Sequence, residues 1–176
     1  MNNLILVGFM GTGKSAVGKG LARRLDRAFV DLDERIERGA GCTVAEIFER
    51  EGEAGFRKRE RAAVEALADT RDAVIATGGG VLLDSENLKR LQGLGLLVCL
   101  TARPEVILGR VEKSPGKRPL LGKFDPAARV RELLTVRAAV YRQAALTVDT
   151  SDHSIEEVVE LLLKKPEIWK GRAESK

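Results

Sequence analysis

Leu4-Ile5-Leu6-Val7-Gly8-Phe9-Met10-Gly11-Thr12-Gly13-Lys14-Ser15 is a short apolar run that passes at once into glycines, a lysine and a hydroxyl. The apolar part has the length and content of a buried strand, and the residues that follow, Lys14 to Leu25, put Val17, Leu21 and Leu25 on one helical face. Strand, glycine-rich turn and helix satisfy G-x-x-x-x-G-K-[ST] in the context that motif needs. Glycines let the backbone wrap phosphates and helix-start N–H groups point at them. Lys14 reaches the β and γ oxygens, and Ser15 ligates Mg2+. The alternative is a glycine-rich turn without a ligand, and strand, motif and helix in register argue against it.

Outward from this stretch, strand-like and helix-like segments alternate, as in a parallel sheet flanked by helices. Ala28 to Val30, Ala73 to Thr77, Leu96 to Leu100 and Leu146 to Val148 join Leu4 to Val7 as short runs rich in Val, Ile and Leu, the composition of buried parallel strands. Thr43 with Glu46 and Ser154 with Glu157 have capping-box spacing ahead of apolar residues, Asp125 suits an N-cap, and Pro104 and Pro126 suit first turns. No repeat or linker divides the chain. The expected architecture is one three-layer α/β domain over residues 1–165, a five-stranded parallel sheet between helices. Glu112 to Phe124, with Lys113, Lys117, Arg118 and Lys123 among prolines and glycines, reads as a mobile basic lid. Pro166 stops the last helix, and residues 166–176 read as a flexible tail.

Composition narrows the function classes. Of 176 residues, 44% are hydrophobic and 32% charged, which excludes disorder. A net charge of +4 suits an anionic partner, but aromatics are only 4% and no basic stripe carries stacking residues, so nucleic acid is not the expected one. Cys42, Cys99 and the lone His153 form no zinc-site spacing, and a reducing cytoplasm is the natural setting. The run Leu4 to Met10 has no basic segment before it and is broken by glycines, unlike a signal peptide, and no later run approaches a membrane span.

Three further places carry candidate chemistry. Asp31 and Asp33 close the second strand, where open α/β sheets place ligand groups, and strand alternation would send both side chains the same way. One would hold Mg2+ through water and the other accept from a substrate hydroxyl; both also suit the cap of a helix leading to Ile36. Gly78-Gly79-Gly80 after the third strand either offers main-chain N–H groups to a ligand oxygen or makes a tight turn. Arg57 and Arg137 lie in charged helical contexts, and spacing alone cannot select them from the other arginines. The chain lacks N-K-x-D and a D-x-x-G after the loop, which argues against a GTPase switch. A gluconokinase-like small-metabolite kinase remains a competitor.

Taken together, Gly8 to Ser15, Phe29-Val30-Asp31-Leu32-Asp33 with Ile36-Glu37, Ile47-Phe48, Gly52-Glu53, Phe56-Arg57, Gly78-Gly79-Gly80, Arg118-Pro119-Leu120-Leu121, and Arg137 with Tyr141 resemble the shikimate kinases in order and spacing. The resemblance runs from about Asn3 to Leu163. It implies transfer of the ATP γ-phosphate to the 3-hydroxyl of shikimate by a cytoplasmic monomer with Mg2+, within aromatic amino acid biosynthesis. It further implies nucleotide contacts from Gly11, Thr12, Gly13, Lys14, Ser15 and Ala16, with Arg110 flanking adenine and lid Arg118 reaching the transferring phosphate. Ser15 and Asp31 would serve the metal. Asp33, Arg57, Gly79, Gly80 and Arg137 would hold shikimate, the two arginines clamping its carboxylate. Lys14, Asp33 and Arg118 would be the catalytic groups.

Overall fold

Leu4, Leu6, Val74, Val98 and Leu100 face one side of a sheet, and Ile5, Val7, Ile75, Leu97 and Cys99 face the other, all of them buried. That alternation within apolar runs is what a sheet covered on both faces demands. The computed structural model describes residues 3–113 and 125–169. Its strands are β1 (Asn3–Val7), β2 (Ala28–Asp31), β3 (Ala73–Ala76), β4 (Gly95–Thr101) and β5 (Leu146–Asp149), all parallel in the order β2-β3-β1-β4-β5. Helices α1 (Lys14–Leu25), α7 (Ile155–Leu163) and α8 (Pro166–Trp169) cover the first face through Val17, Leu21, Leu25, Val158, Leu162 and Ile168. On the second face lie α3 (Val44–Glu65), α4 (Ser85–Leu94), α5 (Pro104–Glu112) and α6 (Pro126–Tyr141), which contribute Val64, Leu91, Ile107, Val130 and Leu133.

The three-layer α/β architecture is the expected one. The two capping boxes form, Asp125 accepts from the Ala128 N–H at 2.9 Å, and both prolines stand in first turns. Because β1 lies between β3 and β4, the connections out of it diverge and leave a crevice beyond the C-terminal ends of β1 and β3. Gly8 enters that crevice at φ +129, where an added Cβ would lie 2.1 Å from the Leu100 carbonyl oxygen. Only glycine permits the approach.

The structure differs from the sequence reading in several places. α2 (Leu32–Ala40) starts directly after Asp31, so strand alternation does not govern Asp31 and Asp33. β3 ends at Ala76, and Thr77 instead spends its hydroxyl and its N–H on the Leu6 carbonyl, at 3.0 and 3.1 Å. Glu112, expected to begin the lid, ends α5, while 114–124, including Arg118, lie outside the described residues. Pro166 does not begin a loose tail: it opens α8, where Ile168 is buried and Trp169 Nε1 donates to the Leu163 carbonyl at 2.7 Å. A proline ends one helix and suits the first turn of another for the same reason, its missing N–H. α2 and α3 also form a small separate core of Ile36, Ile47 and Phe56, and Gly52, at φ +68, kinks α3 within it.

Candidate active site

Two groups of residues meet in the crevice. The first belongs to the loop between β1 and α1. Gly11 and Gly13 take positive φ, and Gly13 caps α1. The buried Lys14 lays its Nζ 2.8 Å from the Phe9 carbonyl, which also accepts from Thr12 Oγ1 at 2.7 Å. Ser15 and Ala16 follow on the exposed side of the first turn of α1. Ser15 Oγ donates to Asp31 Oδ2 at 2.6 Å, while Asp31 Oδ1 accepts from the N–H groups of Asp33 and Glu34 at 3.0 and 3.3 Å. Asp31 is therefore a helix cap and a partner of the loop hydroxyl at once.

Arg110, on α5, braces this loop. Its Nη1 donates to Thr150 Oγ1 at 2.9 Å and to the Gly11 carbonyl at 3.3 Å, and its Nη2 to the Thr150 carbonyl at 2.6 Å. Thr150 Oγ1 also lies 3.1 Å from the Thr12 carbonyl. The end of β5 is thus tied to the loop through a residue, Thr150, that nothing in the sequence singled out.

The second group surrounds Gly78–Gly80. A Cβ on Gly80 would lie 2.6 Å from Arg57 Nη2, and one on Gly78 would lie 2.7 Å from Glu60 Oε1 and 3.0 Å from Asp33 Oδ1. The absent side chains are what let Asp33, Arg57 and Glu60 crowd this backbone. Arg57 Nη1 pairs with Glu60 at 2.6 Å, and its Nη2 with Glu53 at 3.2 Å. Arg137 is 2% exposed, stands over the Phe9 ring at 5.3 Å, and gives Nη1 to the Gly79 carbonyl at 3.1 Å. Its Nε is buried with no partner among the described residues. The two groups touch: a Cβ on Gly79 would lie 3.3 Å from the Met10 nitrogen.

Glu60 stands three positions after Arg57, and nothing in the sequence singled it out. Its i, i+3 spacing announces the ion pair, but burial follows from Gly78, eighteen positions on in the chain (78 − 60), which no helical pattern reveals. Burial pushes the Glu60 carboxyl above its ordinary range against the pull of Arg57, and neighbouring Asp33 pushes the same way. A carboxyl that binds its proton more tightly when folded gives its full contribution to stability below the unfolded pKa, and loses it as pH rises towards the folded one. Relative to Glu60→Gln, the unaltered protein should therefore lose melting temperature as pH climbs above about 4.5. Thermal melts across that range check this, and a difference that grows with pH would mean that the Arg57 pairing outweighs burial.

The remaining candidates stay outside the chemistry. Burial pushes the Cys99 thiol up to about 11, so it is no ready nucleophile. His153 Nδ1 sits 4.0 Å from Glu157 in the polar turn before α7. Among the described residues no three His, Cys, Asp or Glu side chains gather as a metal site, and no helix is long and apolar enough to cross a membrane.

Comparison with known proteins shows the family. The family model described as shikimate kinase matches residues 10–167. A shikimate kinase of Caldanaerobacter subterraneus subsp. tengcongensis is 49% identical over 98% of this chain and 100% of its own length. The structure of a shikimate kinase from Acinetobacter baumannii in complex with shikimate superposes with a TM-score of 0.89 at 36% identity, covering 100% of this chain and 96% of that one. A gluconokinase from Sinorhizobium meliloti, at 19% identity and a TM-score of 0.57, shares the fold alone. On the strength of the family match and of close relatives along nearly its whole length, the chain belongs to the shikimate kinase family.

Proposed function

We propose a division of labour for the ATP-dependent phosphorylation of shikimate, with the phosphoryl group delivered to the 3-hydroxyl. The observation that carries it is the contact between the two groups: the Gly79 backbone, flanked by Arg57, Asp33 and Arg137, abuts the phosphate loop at Met10. An acceptor held on that backbone would face a phosphate held by Gly11 to Ala16. The solved relative from Acinetobacter baumannii is, by its description, a complex with shikimate, and it aligns along this whole chain.

Phosphoryl transfer leaves little covalent work to the protein, so rate comes from alignment and charge. Lys14 would leave the Phe9 carbonyl for the β and γ oxygens, and Arg118 would approach the transferring group. Asp33 would accept from the reacting hydroxyl, orienting it. Gly79 and Gly80 would offer N–H groups to the substrate. Arg57 and Arg137 would clamp the carboxylate, because a planar fork matches a carboxylate as an ammonium does not. Arg110 would flank the adenine while bracing Gly11.

The Ser15 hydroxyl and the Asp31 carboxylate are hard oxygen donors at the mouth of the loop, and a pair of them suits Mg2+, which keeps most of its waters and takes phosphate oxygens besides. When bound there, Mg2+ would neutralise charge on the phosphate oxygens. Asp31 would keep the Ser15 hydroxyl aimed. The family setting is a cytoplasmic enzyme, and we expect it to act as a monomer.

An ADP-release assay with shikimate, gluconate and nucleoside monophosphates tests the reading. Release should depend on shikimate; equal release with gluconate would overturn the substrate. Arg57→Ala and Arg137→Ala should each raise the shikimate KM about ten- to a hundredfold, the range for losing hydrogen bonds to a charged group, with the ATP KM little changed. Equal losses for both ligands would remove the clamp.

A further inference from the structure

The Gly79 carbonyl takes two donors, the Tyr141 hydroxyl at 2.6 Å and Arg137 Nη1 at 3.1 Å. We infer that Tyr141 is a positioning residue for the acceptor half of the site: it holds the Gly79 carbonyl so that Arg137 can turn its guanidinium to the substrate carboxylate. The inference rests on the clamp role proposed for Arg137.

Tyr141 and Arg137 are one helical turn apart on α6, and both are buried. A carboxylate engages guanidinium best through two adjacent N–H groups. Arg137 already spends Nη1 on Gly79, and its Nε is buried, so the pair it can turn to a ligand is Nη1 with Nη2. Presenting a fork to an incoming anion draws Nη1 away, and a carbonyl wedged against the phosphate loop would be left without a donor unless a second one stays. Tyr141 is that second donor. Burial also pushes its phenol up to about 12, so it keeps its proton throughout the working range of pH. Phenylalanine in its place would leave Arg137 as the only donor to Gly79 among the described residues, and substrate would have to compete with the enzyme's own backbone for the guanidinium.

Tyr141→Phe, Arg137→Lys and the double variant should be compared with the unaltered enzyme by shikimate titration and steady-state kinetics. Tyr141→Phe should weaken shikimate binding about five- to tenfold, with the ATP KM within about twofold, the scale of one hydrogen bond. Against the Arg137→Lys background the same change should cost less than about twofold, because the coupling runs through the guanidinium. The carboxamide of shikimate, which is uncharged and cannot take the two-pronged fork, should lose less than about twofold between the unaltered enzyme and Tyr141→Phe.

If Arg137→Lys binds shikimate as the unaltered enzyme does, the clamp fails and this inference with it. If Arg137→Lys weakens binding but Tyr141→Phe does not, only the role of Tyr141 is overturned. Equal losses for ATP, or a full loss with the carboxamide, would reduce Tyr141 to packing and overturn it too. Should Tyr141→Phe not fold, a structure of the unaltered protein with shikimate decides: the Tyr141 contact to Gly79 should remain while Arg137 Nη1 withdraws, and an Arg137 still bonded to Gly79 would refute the idea.

Discussion

Lys14→Ala should lower shikimate-dependent turnover by about a thousandfold, the upper range for losing one preorganised charge-stabilising group. Lys14 stands at the first position of α1, and its ammonium is buried in the crevice with the Phe9 carbonyl as partner. Such a bond is easily exchanged for phosphate oxygens, since a neutral carbonyl competes poorly with an anion for an ammonium. The fold should tolerate the loss. Phe9 keeps the Thr12 hydroxyl at 2.7 Å as a donor, so truncation leaves no orphaned carbonyl. The melting temperature should fall by no more than ~2–4 °C, the shift that accompanies about 1 kcal/mol at this size. Parallel ADP-release and melting measurements check both halves; turnover within tenfold of the unaltered enzyme would deny Lys14 its part.

Asp33→Asn should reduce kcat about a hundredfold and raise the shikimate KM. Asp33 lies in the first turn of α2, and its Oδ1 borders the space that a Gly78 side chain would occupy, beside Glu60. A carboxylate there can only accept, whereas the amide of asparagine can donate, and a donor facing a hydroxyl proton repels the alignment that transfer needs. The size of the loss also separates two duties. A loss near a hundredfold fits lost alignment alone, whereas one towards ten-thousandfold needs positioned proton removal as well. Stability should change little, because the first turn of α2 retains Glu34 and the Asp31 cap. A variant with unchanged kcat would move the acceptor role elsewhere.

Much of this site could be read from the chain because its parts are local. Strand, glycines and Lys14 are contiguous, and the register of β1 against β3 and β4 follows from apolar runs with no alternative face. What local pattern left open was whatever depends on distant segments meeting, and only the family resemblance picked out Arg57, Arg137 and Tyr141. Arg57 and Arg137 look like other surface arginines until Gly80 and Gly79 are brought against them. Glu60, Tyr141 and Thr150 owe their positions to contacts with residues 18, 62 and 138 places away, and no helical or strand period encodes those. Asp33 was misjudged differently: strand alternation was carried two residues past Asp31, where the backbone turns helical. At Pro166 a true signal, the end of a helix, hid a second one, the start of another.

Trp169 is the sole tryptophan of the sequence, and it sits against Leu163, the end of α7 remote from Ser154 and the phosphate loop. Its indole, tied to Leu163, is a built-in optical probe of whether the C-terminal turn is docked. Emission changes on heating or in denaturant will therefore report that docking first. Ligand titrations are better followed by calorimetry, or by a fluorophore installed nearer the crevice, than by intrinsic fluorescence.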